Sequence, residues 1–108
     1  MWKVSFLAEA DREIAIVSPR ERAAILSAVA KLEALGPQLP FPHQSAVKGV
    51  VSLRELRPRG GRSPLRAFYR RVGDVFVIAA IGPEALVNPG EFDQKVRSAL
   101  IRLDDVKE

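Results

Sequence analysis

The residues best suited to chemistry stand in one stretch. Between positions 54 and 71 lie seven arginines, Arg54, Arg57, Arg59, Arg62, Arg66, Arg70 and Arg71, and a single acid, Glu55. Seven cations and one anion give the stretch a net +6. The whole chain, with 17 Lys+Arg and 13 Asp+Glu, carries +4, so the remainder sums to −2. A guanidinium grips phosphate oxygens in a fixed fork. Positive charge gathered on a near-neutral body favours a polyanion, and nucleic acid is the commonest one. The competing reading is a solvated arginine-rich hairpin without a ligand. Possible proton carriers are few: Glu55, Glu84 and the lone histidine, His43. Cations beside Glu55 favour its charged form, which suits a base, although a glutamate among arginines equally serves as a salt-bridge partner. An imidazole suits proton transfer near neutrality, but His43 sits in a loop between prolines, where a solvated histidine is ordinary. The absence of cysteine excludes a thiol nucleophile, a disulfide scaffold and a thiolate metal site, and one histidine excludes a multi-histidine site.

These residues need elements to position them. Trp2 to Leu7 alternates in part and predicts a first strand. Leu7, Ala10, Ile14 and Val17 follow helical spacing. Ser18-Pro19-Arg20-Glu21 is a helix start, with Ser18 as cap, Pro19 first and Glu21 at the capping-box position. Ile25, Ala28, Val29, Leu32 and Leu35 continue the stripe until Gly36-Pro37 stops it. The two segments predict a helical hairpin. Gln38 to Lys48 reads as a loop holding Pro40, Pro42 and His43. Strands are expected at Val50 to Arg57, Leu65 to Val72 and Val75 to Ile81, the last apolar throughout and therefore central. Asn88-Pro89-Gly90-Glu91 repeats the helix-start logic, and Phe92, Val96, Ala99, Leu100 and Leu103 line one face of a final helix. The expected order is β-α-α-β-β-β-α, an α+β fold with a small, mostly antiparallel sheet. Alternation puts Arg66, Phe68 and Arg70 on one face of their strand and Leu65, Ala67 and Tyr69 on the other. A cation–aromatic–cation row could grip a backbone and stack a base, unless Phe68 belongs to the core.

The chain has 108 residues, 47% apolar and 28% charged, with no linker or repeat. One domain spanning 1–108 is expected. No apolar run approaches the roughly 18 residues of a membrane span. The N-terminus lacks the long apolar stretch of a signal peptide. A soluble cytoplasmic domain follows as the expectation.

Leu53-Arg54-Glu55-Leu56-Arg57, a glycine-containing turn, and Leu65-Arg66-Ala67-Phe68-Tyr69-Arg70 together resemble the RelE/HigB-like toxins of type II toxin–antitoxin systems. The nearest likeness is to the phage Gp49-like branch, where a strand reading E-L-R precedes one reading Y-R-x-x-Y. The element order matches over nearly the whole chain; the motifs lie within about 50–82. The resemblance implies an mRNA interferase that cleaves ribosome-bound message through attack of a ribose 2′-OH, and a cognate antitoxin as partner. It implies no cofactor, since the chemistry needs a base, cations for the phosphorane and an acid. Arg66 takes the place of the arginine that contacts the scissile phosphate. Arg57 matches the basic residue ending the preceding strand, and Arg59 and Arg62 stand on the loop within reach of phosphates. Two positions depart from the pattern. Gly82-Pro83-Glu84-Ala85 replaces the usual Lys or Arg pair, and Phe92 stands where some members carry a catalytic tyrosine. ParE-like gyrase poisons share this fold, so a non-nucleolytic binding module is the alternative.

Overall fold

The computed structural model describes residues 1–107. There are three helices, α1 (Ala8–Ala15), α2 (Pro19–Leu35) and α3 (Pro89–Leu103); α2 and α3 start at side-chain caps, whereas α1 follows Leu7, which supplies none. Ser18 Oγ accepts from the Glu21 N–H at 3.2 Å, and Asn88 Oδ1 accepts from the Glu91 N–H at 3.0 Å. Each bond satisfies an N–H that has no partner inside its helix. Pro19 and Pro89 fill the first helical position, where a missing N–H costs nothing.

Five strands make one sheet: β1 (Lys3–Phe6), β2 (Gln44–Ala46), β3 (Arg54–Leu56), β4 (Leu65–Val72) and β5 (Val75–Pro83), in the order β1-β5-β4-β3-β2. β1 runs parallel to β5, and every other neighbouring pair is antiparallel. The α+β class and the β3-β4-β5 meander agree with the expectation. Two details correct it. The segment read as a loop contains β2, a three-residue edge strand, and the strand expected from Val50 shortens to Arg54–Leu56. Gln44-Ser45-Ala46 has no apolar alternation, because only one edge of it is paired and little of it is buried.

The sheet carries a helical layer on each face. Leu56, Ala67, Tyr69, Phe76, Ile78 and Ile81 pack with residues of α1 and α2. Phe68, Val77, Ala79 and Ala80 pack with Val96, Ala99 and Leu103 of α3. Phe68 faces Ala80 while Tyr69 faces Ile78, so Ala79 is an extra residue in β5. This bulge turns Ala79 and Ala80 to the same, α3, side. Trp2 closes the other layer. Its ring lies where a Cβ on Gly36 would come within 2.4 Å, and Gly36 has φ +54°, so only glycine fits there.

β1 covers only Val75 to Ile78 of β5. Where it turns away into α1, side chains replace the missing strand. Glu13 Oε1 accepts from the Ile81 N–H at 2.9 Å, and Arg102 Nη1 donates to Ala79 O at 2.8 Å. Lys95 and Arg102 of α3 then pair with Glu13 at 2.7 and 3.0 Å. One carboxylate thereby ties both helical layers to the open edge of β5.

Candidate nucleic-acid interface

The pairing of β2, β3 and β4 decides which side chains meet. Ser45 faces Glu55 and Glu55 faces Phe68. Two residues further toward the strand ends, the Arg57 N–H donates to His43 O at 2.9 Å, and continuing the Leu56–Ala67 pairing sets Arg57 opposite Arg66. Residues two apart on a strand share a face. His43, Arg57 and Arg66 therefore form one row, and Glu55 lies in the next row on the same face.

Glu55 is 8% exposed and sits between two arginines. Arg57 Nη1 donates to Glu55 Oε1 at 2.9 Å, and Arg66 Nε lies 3.6 Å from the same oxygen. The second separation is an ion pair and too long for a hydrogen bond. Arg66 Nε is accordingly the one buried side-chain polar atom among the described residues without a hydrogen-bond partner.

Arg66 itself is 2% exposed. Its Nη1 donates to Ser63 O and Leu65 O, both at 2.8 Å, and its Nη2 donates to Gly61 O at 3.3 Å and to Glu84 Oε2 at 2.7 Å. Burial, and then the charge of Arg57, lower the Arg66 guanidinium below its ordinary range, while Glu84 and Glu55 act to keep it charged. The expectation that Arg66 lies open to a phosphate is corrected: two carboxylates and three carbonyls enclose it.

The rest of the cationic stretch disperses in the same way. Phe68 shares its face with Arg66, as alternation requires, but is 0% exposed and meets Phe92 edge-on at 5.3 Å beneath α3. It belongs to the core and is not free to stack a base. Arg70 Nη2 donates to Leu103 O at 2.9 Å and caps the end of α3. Arg59 pairs with Glu21 at 3.1 Å. Arg54 and Arg71 lie on the opposite face, Arg54 opposite Tyr69 and Arg71 opposite Phe76. Arg54 Nε donates to Gln44 Oε1, and Arg71 lies over the Trp2 ring. Tyr69, on the opposite face from Arg66, is buried, and burial raises its phenol above the ordinary 10.0. The two departures from the pattern are absorbed too: Glu84 pairs with Arg66, and Phe92 packs on Phe68.

What remains open is smaller and differently placed. Arg62 is exposed, its Nε bound only to Arg59 O at 3.1 Å. Arg57 is partly exposed; its Nε donates to Pro42 O at 3.0 Å and its Nη1 to Glu55, so Nη2 is left for a ligand. Half-buried His43 lies beside the turn Pro58–Gly61, its Cε1 3.9 Å from where a Cβ on Gly60 would stand. Phe41, a residue sequence reasoning missed, is 70% exposed with the Arg57 guanidinium 5.3 Å from its ring centre. Its only signal was an aromatic side chain between two prolines. No group of three or more His, Cys, Asp or Glu side chains among the described residues could hold a metal ion.

The family model described as "Phage derived protein Gp49-like" matches residues 12–80, well over half of the chain. The chain belongs to the Gp49-like family. The matched stretch holds Glu13, His43, Glu55, Arg57 and Arg66 and ends before Glu84 and Phe92. No curated protein sequence matches the chain. Solved structures show the same fold. A mutant of the E. coli toxin RelE in the free state superposes with a TM-score of 0.63 at 13% identity, covering 89% of this chain and 95% of that one. The toxin–antitoxin complex RelBE2 from Mycobacterium tuberculosis gives a TM-score of 0.60 at 18% identity, covering 77% and 98%. The RelE–RelB complex of Pyrococcus horikoshii gives 0.55 at 19%, covering 76% and 93%. The Gp49-like chain thus has the RelE toxin fold. No described helix is long and apolar enough to cross a membrane.

Proposed function

We propose that this Gp49-like chain is the toxin half of a toxin–antitoxin pair, an mRNA interferase of the cytoplasm that cleaves ribosome-bound message and is held inactive by a cognate antitoxin. The observation that carries the reading is the row His43–Arg57–Arg66 with Glu55 beside it, on one face of a RelE-type sheet. Two similar structures being toxin–antitoxin complexes supports the antitoxin as partner.

The reaction is attack of a ribose 2′-oxygen on the adjacent phosphorus. The new O–P bond forms, the bond to O5′ breaks, and the products are a 2′,3′-cyclic phosphate and a 5′-hydroxyl. Glu55, whose Oε1 is held by Arg57, takes the 2′-hydroxyl proton through Oε2. Arg57 faces the phosphorane charge. His43 gives a proton to O5′. Arg66 fixes Glu55 from behind as a positioning residue, and Arg62 borders the path of the strand, while Arg59 is engaged by Glu21. No cofactor takes part.

Cleavage of a defined message on purified ribosomes tests this. His43→Ala and Glu55→Gln are each expected to slow cleavage by about 10²–10⁴-fold, and Arg57→Ala by about 10²–10³-fold. Full activity in His43→Ala sinks the assignment of the acid. One observation favours the second reading, a ParE-like gyrase inhibitor or binding module: Glu84 occupies Arg66 at 2.7 Å, where the resemblance expects a phosphate. Inhibited DNA supercoiling with intact message would decide for it.

A further inference from the structure

We infer that Phe41 is a stacking platform for one unpaired base of a single-stranded RNA, with Arg57 holding the phosphate beside it; this rests on the RNA-cleaving reading above. Phe41 is the only exposed aromatic side chain among the described residues: Phe68, Tyr69 and Phe76 are buried, and Trp2, Phe6 and Phe92 are half-buried.

The ring is held in place rather than left on a loose loop. The His43 N–H donates to Pro40 O at 2.9 Å and closes a turn around Phe41 and Pro42. Arg57 Nε donates to Pro42 O at 3.0 Å, and the Arg57 N–H donates to His43 O at 2.9 Å. The platform is therefore fastened to the end of the β2–β3 ladder. The Arg57 guanidinium sits 5.3 Å from the ring centre, and 70% of the residue stays open to solvent. A Cβ on Gly61 would come within 2.7 Å of Arg57 Nη2, and Gly61 has φ +94°, so the glycine leaves that nitrogen its space. A base has a π-face whatever its identity, so an aromatic ring beside a cation accepts any sequence. Exposed Arg62 follows the same turn and extends the positive path. That charge favours a polyanion over an apolar protein segment as the occupant.

The test is fluorescence anisotropy of a labelled single-stranded hexaribonucleotide with the full chain. Phe41→Ala is expected to weaken binding roughly five- to a hundredfold. Phe41→Leu, which keeps an apolar side chain but no π-face, should weaken it similarly, and Phe41→Trp should restore it. Removing one base from the oligonucleotide should weaken native binding and leave Phe41→Ala binding nearly unchanged, because base and ring form one contact. Full affinity in Phe41→Ala or in Phe41→Leu overturns the inference while the RNA-cleaving reading stands. No RNA binding by the native chain, with or without ribosomes, overturns both. Loss in Phe41→Ala of binding to the product of the neighbouring gene, with RNA affinity kept, assigns the ring to a protein partner and also overturns the inference.

Discussion

Arg66 is a cation used as framework. Its guanidinium crosses from β4 to Glu55 on β3 and Glu84 beyond β5, and it knits the turn between β3 and β4 through Gly61 and Ser63. Breaking a buried pair from one side leaves charge without compensation, which costs about 3–5 kcal/mol. Arg66→Ala is therefore expected to lower unfolding free energy by about that amount in urea titrations; a loss within about 0.5 kcal/mol would contradict the framework role. Charge counted along the chain overstates the free cations for the same physical reason. The +6 of residues 54–71 is a local quantity, but Glu84, Glu21 and the carbonyl of Leu103 reach these arginines from 18, 38 and 33 residues away. Nothing in the local spacing announces such partners. Alternation, by contrast, correctly put Arg66, Phe68 and Arg70 on one face; it could not say that α3 covers Phe68 and Arg70.

Among the elements, β5 depends on a single carboxylate at its open edge. Burial alone would raise the Glu13 carboxyl, but hydrogen bonds from Arg102, Lys95 and the Ile81 N–H outweigh it and hold the group below its ordinary 4.5. A lowered carboxyl contributes stability that is fully present above 4.5 and is lost as pH falls through the folded value. Glu21, lowered chiefly by the Ser63 hydroxyl, acts in the same direction. Thermal melts are expected to show a marked fall below about pH 4.5, and Glu13→Gln should be less stable at pH 7 with a shallower acid limb. An unchanged acid limb in Glu13→Gln would contradict this. Helices α2 and α3 were legible because Ser18-Pro19 and Asn88-Pro89 are start signals that act locally. β2 was not, because Gln44-Ser45-Ala46 owes its extension to pairing with β3 and to nothing in its own pattern. That hidden strand is what brings His43 to Arg57.

For the whole molecule, the RelE fold sets a neutralised arginine frame behind a small open edge made by Phe41, His43, Arg57 and Arg62. The net charge of +4 remains, but few of the cations lie on the proposed RNA path. Each phosphate contact on a single strand contributes about −0.7 to the slope of log affinity against log salt. Contacts from Arg57 and Arg62 alone predict a slope of about −1.5, whereas seven available arginines would give about −5; a salt titration of RNA binding separates the two. The class of fold and the family could be read from the strand motifs around Glu55 and Arg66, while the working edge became visible only through tertiary pairing. Cleavage of message at this edge is the proposal to be tested. The most direct measurement is induced expression in bacteria of the native chain beside Arg57→Ala, with transcript 5′ ends mapped in the arrested cells. Growth arrest with new mRNA 5′ ends, both lost in Arg57→Ala, is the expected result. Arrest with intact message, or no arrest from a folded and well-expressed native chain, would contradict it.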